Sequence, residues 1–172
     1  MRRSRAPGRS RSAFAAVALL APALLVPALV AAAPGGSGET VSLTGDGPGQ
    51  RLDVTLTQVV DPAAPARSST PAPDGVDRLV AVRFRLENTG TAAYEDSPAA
   101  SAHLLDATGQ RFTGLNLPTA AGPPFPDTLT LRPGGAAEGF VTFRLPKDAG
   151  PAAVQFALNG GFADDVGQWS LP

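Results

Sequence analysis

From residue 52 onward the apolar side chains recur at every second position. Leu52, Val54 and Leu56 alternate with Asp53, Thr55 and Thr57, and Val80, Val82, Phe84 and Leu86 alternate with Arg83, Arg85 and Glu87. Val141, Phe143 and Leu145 alternate with Thr142 and Arg144, while Ala152, Val154, Phe156 and Leu158 form a fourth stripe. A period of two sends successive side chains to opposite faces, so each stripe predicts a strand with one buried and one wet side. Shorter strands are expected at Val41–Thr44, Ala102–Leu105, Arg111–Gly114, Thr128–Leu131 and Val166–Leu171. Between them stand turn residues: Asn88-Thr89-Gly90, Asp106-Ala107-Thr108-Gly109 and Arg132-Pro133-Gly134-Gly135. Eight or nine short strands and no long helical spacing predict an all-β, two-sheet antiparallel sandwich, with a barrel as the second choice.

Two connections are longer than a compact domain needs. Asp61 to Asp77 carries Pro62, Pro65, Pro71 and Pro73, and Asn116 to Pro126 carries Pro118, Pro123, Pro124 and Pro126 around Phe125. Connections of this length are usually functional or disordered. Here they are the expected contact surfaces, presented on a rigid scaffold.

The first residues follow a different pattern. Arg2, Arg3, Arg5, Arg9 and Arg11 precede an uncharged run from Ala13 to Ala33 that ends in small residues. That order predicts an export signal at 1–32, cut after Ala32, with Pro22 and Pro27 interrupting a run that would otherwise approach membrane-spanning length. Residues 33–40 are then a flexible Gly/Ser-rich lead-in and 41–172 the sandwich. The alternative is a retained leader that anchors the domain outside the membrane.

Removing the leader changes the charge. Five of the fourteen basic residues go with it, leaving nine against all fifteen acids. A net acidic domain argues against a nucleic-acid partner and against attachment to anionic membranes. The chain has no cysteine, so an exported domain must be held by burial alone.

Particular phrases resemble a known family. Val80-Ala81-Val82-Arg83-Phe84-Arg85-Leu86-Glu87-Asn88-Thr89-Gly90, Leu104-Leu105-Asp106-Ala107-Thr108-Gly109-Gln110, and Leu131-Arg132-Pro133-Gly134-Gly135 followed by Glu138–Pro146 carry the resemblance. They are similar to a secreted bacterial immunoglobulin-like domain of unknown function, labelled telomeric-repeat-binding-factor-2-like and grouped with an immunoprotective extracellular protein family. The resemblance covers about residues 39–171 and implies an immunoglobulin-like sandwich, with no catalytic residues to carry over. Many relatives carry a lipid-attachment cysteine at the end of the leader, and this chain has none. The label implies no DNA binding.

The inventory of reactive side chains is short. His103 is the single histidine and Met1 the single methionine, so neither a blue-copper site nor a four-ligand zinc site can be assembled. Calcium would have to draw on Asp164-Asp165 with Asn159, or on Glu95-Asp96 with Asp106, and neither has a Ca-loop spacing. Ser-His-Asp chemistry could use His103, but no Gly-x-Ser-x-Gly elbow is present. Pro123-Pro124-Phe125-Pro126 is either a docking motif or a stiff loop whose Phe125 tucks onto the sandwich, and the second is the simpler reading. Trp169 is expected in the core, and Arg83, Arg85 and Arg144 on the wet face.

The expectation is therefore a secreted, non-catalytic, monomeric domain without cofactor or metal. It would bind an envelope or extracellular partner through its Pro-rich loops. A membrane-anchored accessory domain is the alternative, and a small hydrolase using His103 a remote one.

Overall fold

The alternating stripes pair into two sheets whose apolar faces meet. The computed structural model describes residues 34–35, 38–66, 75 and 77–172. One sheet has the order β1 (Pro34–Gly35), β11 (Val166–Ser170), β10 (Pro151–Ala157), β6 (Ala102–Asp106), β7 (Arg111–Thr113). The other has the order β2 (Thr40–Thr44), β3 (Arg51–Val60), β4 (Asp77–Asn88), β9 (Ala136–Pro146), and a two-stranded ribbon joins β5 (Tyr94–Asp96) to β8 (Leu129–Leu131). Every pairing is antiparallel except β1 with β11. The all-β, two-sheet antiparallel sandwich expected from the stripes is the fold observed. The expected export signal lies outside the described residues, as does 67–74 of the first long loop.

The stripe residues fill the space between the sheets. Leu52, Val54, Leu56, Val80, Val82, Phe84, Leu86, Phe143, Leu145, Val154 and Phe156 are fully buried in one cluster. Phe84 is its centre: the rings of Phe156 and Trp169 meet it edge-on at 5.5 and 6.0 Å, the geometry that aromatic quadrupoles favour. Trp169 is buried as expected, and its indole N–H donates to the Glu39 carbonyl at 2.9 Å. Gly167 is small for a reason: a Cβ there would come within 3.0 Å of the indole.

Turn chemistry closes the strands. In Arg132-Pro133-Gly134-Gly135 the Gly135 N–H donates to Arg132 O at 2.8 Å with Gly134 at φ 79, a positive φ that glycine adopts at no steric cost. Asp106 Oδ1 accepts from Thr108 N, Thr108 Oγ1 and Gln110 N at 2.6–2.9 Å, which fixes the β6–β7 turn. Asn88, 1% exposed, ties the β4–β5 loop to the end of β8. Its Nδ2 donates to Ala92 O and Leu131 O, each at 2.9 Å, and its Oδ1 accepts from Gly90 N at 3.0 Å.

Three expectations need correction. The lead-in read as flexible is paired at its described positions: Pro34–Gly35 runs beside Gln168 and Trp169, and Gly38 N donates to Leu56 O at 2.7 Å. Backbone pairing outweighs the flexibility of small residues there. β5 was not expected, because Tyr-Glu-Asp is too short to show a period and acids disfavour strands. Thr142, read as a wet-face residue, is fully buried and donates through Oγ1 to Leu117 O at 2.8 Å.

The last correction has a general cause. Part of the outer face of the four-stranded sheet is covered by described segments of the two Pro-rich loops. Ala63, Leu79, Ala81 and Phe140 form a second small core there, with Val60 and Ala121 against it. Leu79, Val80, Ala81 and Val82 are therefore all buried, as a strand covered on both faces requires.

Candidate functional site

The loops that cover this face are stitched to it and to each other. Leu115 and Thr142 exchange backbone bonds at 2.7 and 3.1 Å, Phe140 N donates to Pro123 O at 3.0 Å, and Phe125 N donates to Phe140 O at 3.2 Å. Ala63 N donates to Leu79 O, and Ala120 N to Ala64 O, at 2.7 and 2.8 Å. Two glycines permit the close approach. A Cβ on Gly139 would lie 2.8 Å from the Phe125 ring, and one on Gly122 would lie 2.6 Å from the Phe140 ring. Phe125 is 3% exposed, so it tucks onto the sandwich and is not offered to a partner.

Where the roof ends, a recess of about 220 Å3 opens on the sheet. Ala121, Gly122 and Pro123 overhang it, Gly139 and Phe140 form the floor, and Gln58, Arg83 and Glu138 supply the polar walls. Local structure aims these walls. Register in β3 shifts between Leu56, opposite Phe84, and Gln58, opposite Arg83, so Thr57 is the extra residue of a β-bulge. Bulges re-aim side chains and are frequent beside functional sites. Arg83 reaches diagonally from β4 to Glu138 of β9, whose direct partner is Arg85. Arg85 in turn pairs with Glu87 at 2.8 Å.

The Arg83 and Glu138 side chains are 42 and 43% exposed. An ion pair this wet adds little to stability, so its partners can exchange for groups of a ligand. The guanidinium offers planar donors, the carboxylate acceptors, and Gln58 both. That set suits an occupant bearing a carboxylate together with hydroxyl or amine groups. Arg83 and Arg85 are on the wet face as expected, and Arg144 sits 3.9 Å from Asp77 on the same side. Sequence reasoning did not single out Gln58 or Glu138. A bulge leaves no trace in a two-residue period, and the Arg83–Glu138 diagonal depends on cross-strand register.

The other candidates lie elsewhere. His103 stands half-buried on β6, and a Cβ on Gly161 would come within 2.8 Å of its ring. Burial, and then the charge of Arg111, lower its pKa from the ordinary value near 6.5. Asp106 is not gathered with Glu95 and Asp96: it is the last residue of β6, whereas they precede that strand. Asp96 instead accepts from Ser97 N, Ser101 Oγ and Gly160 N at 2.8–3.0 Å. Asp165 accepts from Thr44 N at 2.8 Å, and Asn159 Oδ1 from Asp46 N at 3.0 Å. Tyr94 is buried beside Asp96. Burial first, and then that carboxylate, push its phenol far above the ordinary value, while Ser101 acts the other way. Among the described residues no three of His, Asp and Glu converge as metal ligands, and no helix is long and apolar enough to cross a membrane.

No protein-family model matches the chain, and no curated protein matches it. Solved structures do. A secreted protein of Mycobacterium tuberculosis, MPT63, superposes with a TM-score of 0.59 at 16% identity, covering 83% of this chain and 99% of that one. The yjhA protein of Bacillus subtilis gives 0.53 at 14% identity, covering 80% and 99%. A putative lipoprotein of Bacillus subtilis, ycdA, gives 0.52 at 14% identity over 76% of this chain and 39% of its own. At such identities the likeness is one of fold: the chain shares its β-sandwich with these bacterial proteins.

Proposed function

We propose that this chain is an exported, non-catalytic binding domain whose contact surface is the recess on the outer face of the four-stranded sheet. The observation that carries this reading is the exposed Arg83–Glu138 pair beside Gln58, under the overhang Ala121–Pro123. The Pro-rich loops serve recognition by shaping that recess, not by projecting from the body. Export is supported by the arginine-rich start and the apolar run that follows it. Membership of the immunoglobulin-like family of unknown function is supported by the Asn-Thr-Gly and Pro-Gly phrases, which here close loops around Asn88. A partner in the envelope or medium, bound by a monomer, fits the acidic surface.

The test is retention of envelope and medium fractions on the immobilised protein, compared with an Arg83→Ala/Glu138→Ala variant. Circular dichroism would first establish that the variant keeps its strand spectrum. Specific material bound by the parent and lost by the variant is expected. Equal retention by both would remove the recess from the binding surface.

A further inference from the structure

One end of the sandwich gathers five carboxylates, and Arg51 at the start of β3, opposite Thr44, is a base at the same end. The hairpin between β2 and β3, strand β5 and the turn Leu158–Gly161 meet there, bringing Asp46, Glu95, Asp96, Asp164 and Asp165 to one region. None of these five is in an ion pair among the described residues. The segments border a small, half-open recess of about 10 Å3 lined by Gln50, Tyr94, Glu95, Asp96, Leu158 and Asn159. That is the size of one water molecule or one ion. The fold has thus exchanged partners between the two acidic clusters seen in the sequence: Glu95 and Asp96 meet Asn159 and not Asp106.

A second observation points to an occupant. Tyr94 is 5% exposed, and its hydroxyl makes no hydrogen bond. The neighbouring Ser101 hydroxyl already donates to Asp96 Oδ2 at 3.0 Å. Buried hydroxyls are seldom left without a partner, and an orphan at the wall of a one-ion recess marks a missing ligand or its water.

We propose that this small recess is a site for a calcium-sized cation, held by Glu95 and Asp96, by the amide oxygens of Gln50 and Asn159, and by water bonded to the Tyr94 hydroxyl. The donors are all oxygens, which select a hard cation over zinc or copper. Two carboxylates balance a divalent charge. Asn159 Oδ1 and Gln50 Oε1 are oriented by the N–H groups of Asp46 and Gly47, each at 3.0 Å, and each oxygen keeps a second lone pair. With no third acidic ligand, affinity belongs to the weak range of extracellular calcium modules, about 10⁻⁴–10⁻³ M. Magnesium, which gives up its water reluctantly, is a poorer fit.

Calorimetric titration of the purified protein with CaCl2 tests this, alongside its thermal midpoint with calcium or magnesium. Terbium provides a local probe, because Tyr94 is the single tyrosine and can sensitise its emission. One calcium site with a raised midpoint is expected. Affinity should fall about tenfold in Glu95→Gln, and tyrosine-sensitised terbium emission should be lost in Tyr94→Phe. Asp96→Asn also removes anchors of Ser101 and Gly160 and can unfold the loop, so the exposed Glu95 provides the decisive variant. Absence of heat and of any midpoint shift at about 10 mM calcium overturns the proposal. So does equal binding by the parent and Glu95→Gln.

Discussion

Replacing Phe125 by alanine should release the Pro-rich roof while leaving the sandwich folded. Phe125 is 3% exposed and its ring fills the space above Gly139. Burying a phenylalanine side chain contributes about 1.5–3 kcal/mol, and deleting one from a well-packed site costs about 3–5 kcal/mol. The roof is a surface segment that can relax, so about 3 kcal/mol is the expected loss of docking energy. Around the ring the segment is otherwise held chiefly by backbone bonds, Phe125 N to Phe140 O, Phe140 N to Pro123 O and Ala120 N to Ala64 O, with Ala121 packed on the second core. They should open together once the aromatic latch is gone.

The Phe140 amide reports this opening directly. Its N–H is sealed by Pro123 O, and native-state hydrogen exchange measures the free energy of breaking that seal. A loss of about 3 kcal/mol corresponds to exchange faster by roughly a hundredfold. Amides of the central pairing between β3 and β4 should slow or quicken far less. Gly139→Ala provides an independent route, because its Cβ would lie 2.8 Å from the same ring. If Phe140 exchanges at the parental rate in Phe125→Ala, the roof is not latched by this residue and the argument fails.

Asn88→Ala should destabilise the whole domain by about 2 kcal/mol, since it strands the buried Leu131 carbonyl and the half-buried Ala92 carbonyl while the Gly90 N–H keeps Arg51 O, and urea unfolding measures it. Arg78→Met keeps an aliphatic stem but removes the fork that holds Asp61 at 2.8 and 3.1 Å and the carbonyls of Lys147 and Ala149 at 2.6 and 2.8 Å. A cost of about 2 kcal/mol is expected by the same method, and a loss below about 0.5 kcal/mol would contradict it. His103 should titrate below 6.5 in an NMR experiment and move upward in Arg111→Gln. Because its folded pKa is depressed, the unfolded chain takes up the proton first, so stability falls as pH drops from about 6.5 toward the folded value. No such slope is expected above that range.

Much of the core was legible because its physics is local. A two-residue period at Val80–Leu86 or Val141–Leu145 needs no knowledge of neighbours to predict which side is buried. Trp169 followed the same logic. What escaped was whatever depends on a distant segment. Thr142 looks like a wet-face residue until Leu117 is laid over it. The run Leu79-Val80-Ala81-Val82 breaks alternation, and that break was the one available sign that both faces of β4 are covered. For Pro123–Pro126 the sequence left two readings, and the answer lay in Gly139, fourteen residues past Phe125, whose missing Cβ makes room for the ring. The recess was least visible of all. Arg83 was recognised only as exposed, because its pairing with Glu138 and its nearness to Gln58 require both a register and a bulge.

These loops also explain how a disulfide-free sandwich can leave a long strand at a sheet edge. β9 spans eleven residues, long enough to template pairing with another chain. Residues 115–125 occupy that edge, contributing the N–H groups of Leu115 and Phe125 and the carbonyls of Leu115 and Pro123. The intervening prolines have no N–H to offer, so the covering segment pairs inward without presenting a new ladder outward. At the opposite edge Thr44 N is taken by Asp165 Oδ2, and β7 is only three residues with Arg111 at its start. Proline richness therefore has a structural meaning before any functional one: it closes β9 against strand addition. Over the face of the sheet the cover stops, and Arg83, Glu138 and Gln58 are left in the open, which is where the proposed binding surface is expected to act.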